Sequence, residues 1–238
     1  MNEECLICKA PLEYLAADML MECQICHKIE NSKTRCLNGH YVCSKCHTRG
    51  LDSIFAICMK ETSKDPICVI EKMMALPSCH MHGPEHHVMV GAALLTAYRN
   101  AGGEIDLYIA LKEMMSRGQS VPGGACGFWG ACGAGISSGM FVSIISRATP
   151  LTEVPFALSH KMTAKSLEMI GAVGGPRCCK RDSFLSILTA IDFVKEHSGV
   201  EMENGEILCR YSKQNNQCIG KRCPFSKGNP APAFDFTN

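Results

Sequence analysis

The chain has 238 residues, 46% of them hydrophobic and 20% charged, with a formal net charge of +1. That length buries one large domain or two smaller ones, and the near-neutral charge excludes a nucleic-acid footprint or an acidic-tail role. Seventeen cysteines and nine histidines are the outlier. An odd cysteine count rich in C-x-x-C pairs, with no basic and apolar leader at the start, points to metal binding in a reducing, cytoplasmic setting rather than to disulfides.

Residues 1–49 read as a separate unit. The pairs Cys5/Cys8, Cys23/Cys26 and Cys43/Cys46, with Cys36 and His40, make eight candidate metal ligands in 42 residues with little apolar material between them. Such a segment needs metal for much of its folding free energy, and each C-x-x-C knuckle aims two thiolates at one tetrahedral zinc. Two wirings are open. An interleaved cross-brace joins Cys5, Cys8, Cys36 and His40 on one ion and Cys23, Cys26, Cys43 and Cys46 on the other; a sequential order joins Cys5/Cys8 to Cys23/Cys26. The stretch CLNGHYVCSKC resembles the middle of RING-type fingers, which favours the cross-brace. His27 and His47, beside ligand cysteines, read as solvated. Two zincs here imply a structural or interaction module, and the rest of the chain supplies no ubiquitin-ligase context.

From Leu51 the composition turns apolar and helix-forming. Asp52 is expected to cap a helix through Met59, and Asp65-Pro66 to cap and start another reaching about Ala75. Met59, Met73 and Met74 read as core filling, and Cys58 and Cys68 as buried thiols. In PSCHMHGPEHH, Cys79, His80, His82, Glu85, His86 and His87 put six ligand-type or acid/base side chains in nine positions before an apolar helix, Val88 to Tyr98. His80, His82, Glu85, His86 and His87 are therefore candidate catalytic groups. The other reading is a polar loop with a capping Glu. An amphipathic segment, Glu104 to Met115, follows the Gly102-Gly103 stop.

VPGGACGFWGACGAGISSG, Val121 to Gly139, carries Trp129, Cys126, Cys132 and seven glycines in nineteen residues. Its helix is expected over about Trp129 to Ser146, with Cys126 in the loop, Cys132 one turn in, and Ala131, Gly135 and Gly139 as a stripe for close helix packing. The positive end of that helix would lower a thiol pKa there. No charge occurs between Arg117 and Arg147, but the apolar part, about Phe128 to Ile145, is short for a bilayer and broken by glycines and serines, so a buried core helix and no membrane span are expected. Thr152 is expected to cap a helix to about Ile170. GGPRCCKRDSF then repeats the design: Cys178 and Cys179, flanked by Arg177, Lys180 and Arg181, precede a helix with Asp182 as cap, Phe184, Leu188, Ile191 and Val194 on one face, and Gly199 beyond its end. The C-terminal stretch holds Cys209-x8-Cys218-x4-Cys223-Pro224. These three cysteines are one short of a cluster set, to be completed by Cys79 or a histidine of residues 80–87 if they bind metal, or else they belong to a partly ordered tail.

The motifs CLNGHYVC, HGPEHH, CGFWGACGAG, GGPRCCKR and CIGKRCPF resemble an uncharacterised, cysteine-rich family of anaerobic bacteria and archaea, a domain of unknown function with an N-terminal zinc module. Residues 82–199 are also similar to the catalytic domain of iron–sulfur L-serine dehydratases and, more remotely, cysteine desulfidases. That second resemblance implies a 4Fe-4S cluster with Cys126 and Cys178 as two of three ligands. The family's middle ligand has no counterpart, since Glu168 to Gly175 contains no cysteine, and Cys132 or Cys179 would stand in. It implies an open iron that binds a leaving hydroxyl or thiol, a histidine base, and Arg177 or Arg181 clamping a carboxylate.

The expectation is thus a mainly α protein: a double zinc-binding, treble-clef or cross-brace-like module at 1–49, an all-helical metal-binding domain of about seven helices at 50–200, and a cysteine-containing tail at 201–238. The function expected is a 4Fe-4S-dependent lyase or desulfidase on a small polar or sulfur-containing substrate. The alternative is a non-enzymatic metal, sulfur or electron carrier docking on a partner enzyme through its zinc module. A homo-oligomer is compatible with either.

Overall fold

The computed structural model describes residues 5–8, 10–47 and 50–227. The expected boundary at residue 49 and the end of the tail beyond 227 lie outside the described residues. Among those described, the architecture is mainly helical with one two-stranded sheet.

Strand β1 (Leu12–Glu22) pairs antiparallel with β2 (Ile29–Cys36), with a slip in register between Tyr14 and Met19. The hairpin is largely exposed, and its small core is Met21, Cys23, Tyr41, Cys43 and Cys46, three of which are cysteines. One turn of helix, α1 (Ser44–His47), closes the segment.

The body is built around α4 (His86–Asn100). Thirteen of its fifteen residues are buried, because it is apolar on every face, so it must be surrounded. It is enclosed by α2 (Leu51–Lys60), α3 (Pro66–Met74), α5 (Leu107–Gln119), α7 (Gly133–Ile145) and α9 (Cys179–Ser198). The long α8 (Val154–Val173) packs outside on α7 and α9, and α6 (Ala125–Phe128) is a single turn. Among the described residues, counting the helices longer than one turn gives the expected seven.

The cap expected at Asp65 holds. Asp65 accepts from the Ile67 amide at 2.8 Å ahead of Pro66. Asp106 accepts from the Ile109 amide at 3.1 Å, which starts α5 three residues later than Glu104. Three caps fall elsewhere. Gly50, not Asp52, precedes α2. The Thr152 hydroxyl donates to the Thr149 carbonyl, so α8 begins only at Val154. Asp182 lies inside the first turn of α9, its carboxylate taken by Arg181 and Cys132, while Cys178 holds the N-cap position.

The helix expected from Trp129 is interrupted. Gly130 adopts φ +65°, so the chain makes the short α6, turns, and restarts at Gly133 with Cys132 as N-cap. Ala131 is therefore outside the stripe. Gly135 and Gly139 do form the close approach: a Cβ at Gly139 would meet Thr163 Oγ1 at 1.8 Å and the Ser159 carbonyl at 3.0 Å on α8. Ser138 and Ser166 hydroxyls meet across the same seam at 2.8 Å.

Residues 201–227 fold back on the body rather than standing apart. The Glu203 amide donates to the Lys64 carbonyl at 2.9 Å, and the rings of Phe225 and Phe184 meet edge to face at 5.5 Å. Met202, Cys223 and Phe225 enter the main core. Among the described residues, no helix is long and apolar enough to cross a membrane, and α7 is the buried core helix expected.

Candidate functional site

The N-terminal ligand atoms group in the interleaved order. Cys5, Cys8, Cys36 and His40 offer atoms all within 4.8 Å of one another, and so do Cys23, Cys26, Cys43 and Cys46. The separations Cys8–Cys36 at 3.8 Å and Cys26–Cys43 at 3.6 Å match the roughly 3.8 Å between thiolates bound at about 2.3 Å to one tetrahedral ion. Turn amides point at the sulfurs, as from His40 to Cys36 at 3.2 Å and from Cys43 to Cys23 at 3.3 Å. The Ala10 amide, with His40 and Asn38, draws Cys8 down to about 6. Burial alone would raise Cys23, but the amides of Cys43, Cys26 and Ile25 outweigh it and bring it to about 6. Thiols already inclined to ionise are good ligands, so each set could hold one metal ion. His27 is exposed, as expected, and its Nδ1 lies 2.8 Å from Glu22 Oε1.

His47 is a different case. The sequence reading left it solvated, yet the fold presses it against the Pro77–His87 loop. His47 Nδ1 lies 3.3 Å from Glu85 Oε2, and His80 Nδ1 lies 3.3 Å from Glu85 Oε1. None of His47 Nδ1, His80 Nδ1 and Glu85 Oε2 makes a hydrogen bond, although all three atoms are buried. Buried polar atoms are seldom left so, and two ligands about 2.1 Å from a shared ion stand about 3.3 Å apart. These three residues could hold a divalent ion that ties the N-terminal module to the body. His47→Ala should lower tightly bound divalent metal by about one equivalent per chain while leaving both knuckle ions in place; an unchanged metal content would dismiss the site.

Cys79, Glu85 and His86 form an adjoining set. Here the donors are already engaged: Lys180 Nζ donates to Cys79 Sγ at 2.9 Å and to the His80 carbonyl at 3.0 Å. His86 is fully enclosed, its Nδ1 3.0 Å from the Gly83 carbonyl. Burial, and then Lys180, push it to about 3, which keeps the ring neutral.

Between module and body lies a cleft of about 610 Å³. Its walls are Tyr14, Ser44 and His47 on one side and His82, His87, Cys126, Cys132, Arg177, Cys179 and Asp182 on the other. Two glycine-rich loops place the thiols. At the second, α9 opens on Cys179; at the first, α7 starts hard against His87, where a Cβ on Gly133 would come within 2.1 Å of the imidazole. The Cys132 thiol donates to Asp182 Oδ2 at 3.8 Å.

The expected depression of these thiol pKa values at a helix N-terminus does not occur. Burial raises Cys126, pushes Cys132 up to about 12, and holds Cys179 well above the usual thiol range, with the nearby Asp182 adding to each. The helix-end field is a smaller effect than desolvation. Three half-buried thiols beside a carboxylate ionise readily only when a cation sits among them, so this soft donor set suits a metal centre. Arg177 is the one cation facing it from the α9 loop. It donates to the Tyr14 hydroxyl at 2.5 Å, linking the two walls.

The fold separates residues that the sequence reading paired. Cys178 does not face the cleft with Cys126; it lines a second, small pocket with Arg181, Cys209, Cys218 and Cys223. Arg181 is thereby removed from the cleft, its guanidinium on Asp182 and on the Pro176 carbonyl at 3.1 Å. Of the loop histidines, His82, His86 and His87 border the cleft, whereas His80 turns away to Glu85.

A family model described as a family of unknown function (DUF5714) matches residues 54–226. No curated protein and no solved structure matches the chain.

Proposed function

The chain belongs to the family of unknown function DUF5714, and on that footing we propose an iron–sulfur lyase that acts in the cleft on a small polar or sulfur-containing substrate bearing a carboxylate. The observation that carries this reading is the convergence of Cys126, Cys132 and Cys179 on a cleft that also holds a half-buried arginine and an imidazole with an unspent nitrogen. A 4Fe-4S cluster on three thiolates keeps one iron open as a Lewis acid for a leaving hydroxyl or thiol.

The protein groups divide the remaining work. Arg177, partly stripped of water and lowered in pKa by burial, offers a fork for a carboxylate. His82 is the base. Its Nε2 lies 3.2 Å from Asn215 Oδ1, an oxygen that also accepts from the Gln217 amide at 2.9 Å, so Nε2 carries the proton there. That leaves His82 Nδ1, buried and without a hydrogen-bond partner, as a lone pair ready to take a proton. Burial lowers the His82 pKa, which keeps the ring unprotonated. Tyr14 and the N-terminal module limit the access of water to the cleft.

Anaerobic reconstitution with iron and sulfide tests the reading. Cys132→Ser and Cys179→Ser should each lose the cleft cluster, and small 2-amino-3-hydroxy or 2-amino-3-thiol acids should perturb its spectrum only in protein with the three cysteines. His82→Ala should keep the cluster and lower turnover by about 10²–10⁴-fold. Full cluster content in both cysteine variants would end the proposal. A second reading, a carrier that docks on a partner enzyme, draws on α8, where Leu151, just before it, and Val154 and Phe156 are exposed at 96%, 64% and 44%; a carrier would show no substrate-induced spectral change.

A further inference from the structure

Cys209, Cys218 and Cys223 look one ligand short along the chain, and folding brings the fourth. Cys178, the residue before α9, lines the same pocket of about 20 Å³ as all three. Cys209 lies close enough to add to the elevation of Cys178, and Cys209 and Cys218 close enough to add to that of Cys223. We infer that Cys178, Cys209, Cys218 and Cys223 hold a fully ligated 4Fe-4S cluster that fastens residues 200–227 to the start of α9.

Their spacing separates this set from the N-terminal knuckles. Among the described residues, the sets of three or more ligand atoms lying within 4.8 Å of one another include both knuckles but not these four cysteines. One tetrahedral ion needs thiolates about 3.8 Å apart, whereas a cube with one iron under each thiolate spreads them wider. The pocket also has what an anionic cluster requires. The Gly220 amide points at Cys218 Sγ at 3.4 Å, and Asn215 Nδ2 at Cys178 Sγ at 3.5 Å; hydrogen bonds of this kind stabilise cluster thiolates. The buried Arg181 guanidinium supplies positive charge at the wall.

The segment itself needs such a fastening. From residue 200 to 227 its only helical elements are two 3-10 turns, Ser212–Gln214 and Gly220–Arg222, with few buried apolar side chains to secure it. A cross-link through three of its cysteines provides what its core does not. Four protein ligands leave no open iron, so this centre takes no substrate. Consecutive residues, Cys178 and Cys179, then serve two different centres on opposite sides of one helix start. The inference does not depend on the lyase reading.

Cys218 is exposed, so Cys218→Ser removes a ligand without disturbing the packing. After anaerobic reconstitution, Cys218→Ser and Cys209→Ser should each lose about four iron and four sulfide relative to wild type. The low-temperature paramagnetic signal of that cluster after dithionite reduction should vanish, and trypsin should now cut at Arg210 or Lys213, while zinc content stays constant. The same protocol on Cys132→Ser keeps the two proposals apart: iron lost only from the Cys218 and Cys209 variants supports this cluster and removes the one in the cleft. Full iron and sulfide in both tail variants, or loss of a zinc equivalent in place of iron, would overturn the assignment.

Discussion

Replacing Cys43 by serine should release one metal ion and unfold the N-terminal module, while the helical body survives. Cys43 is buried, and its set with Cys23, Cys26 and Cys46 supplies most of the module's own core. Beyond the ligand cysteines, Met21 and Tyr41 are the buried hydrophobic side chains among the module's described residues, and a lone two-stranded hairpin is marginal in water. A structural ion of this kind contributes an apparent binding free energy of about 10–16 kcal/mol at neutral pH, which far exceeds what two buried side chains supply. Because the two ligand sets interleave, loss of one ion should also loosen the other. Helices α2–α9 draw on a separate core and should keep their circular dichroism. Metal analysis together with limited proteolysis checks this: the variant should bind at least one ion fewer and be cut within residues 10–47. Wild-type metal content and wild-type protection there would show that burial, not metal, holds the module. Loss of the module would also strip Tyr14 and His47 from the cleft.

The second large effect is expected at Arg181. Arg181 and Asp182 are each 3% exposed, with Arg181 Nε on Asp182 Oδ1 at 3.0 Å. Burial raises the Asp182 pKa, and Arg181 is the chief influence pulling it back. Arg181→Met keeps the side-chain bulk but leaves a buried carboxylate without its partner, a change that costs about 3–5 kcal/mol. The urea midpoint should fall accordingly. In the double variant Arg181→Met/Asp182→Asn, most of that loss should return, because no uncompensated charge remains. A single variant that costs less than about 1 kcal/mol would show that Asp182 is not stranded, and would undercut the account of its effect on the cleft thiols.

Much of the local structure was legible in the sequence because it depends on short-range geometry. Asp65-Pro66 starts α3 through a side chain two residues from the amide it caps. The Gly135/Gly139 stripe marks α7 because residues four apart share a face, and α4 announces its burial by being apolar all round. Some misplaced helix starts share a cause: a polar side chain caps only if nothing else claims it. Asp182 was claimed by Arg181 and Cys132, residues whose positions come from packing.

The metal ligands divide along the same line. Covalent spacing by itself determined the three C-x-x-C pairs, since two residues between cysteines suffice to aim both sulfurs at one point, and it marked out each glycine-rich cysteine loop. Which set each remaining ligand joins was decided only by the tertiary structure. Adjacent residues at a helix start point in different directions, so Cys179 faces the cleft with Cys126 and Cys132 while Cys178 joins Cys209, Cys218 and Cys223. His47 meets His80 and Glu85 only because module and body pack together, a contact across more than thirty residues that no local pattern encodes.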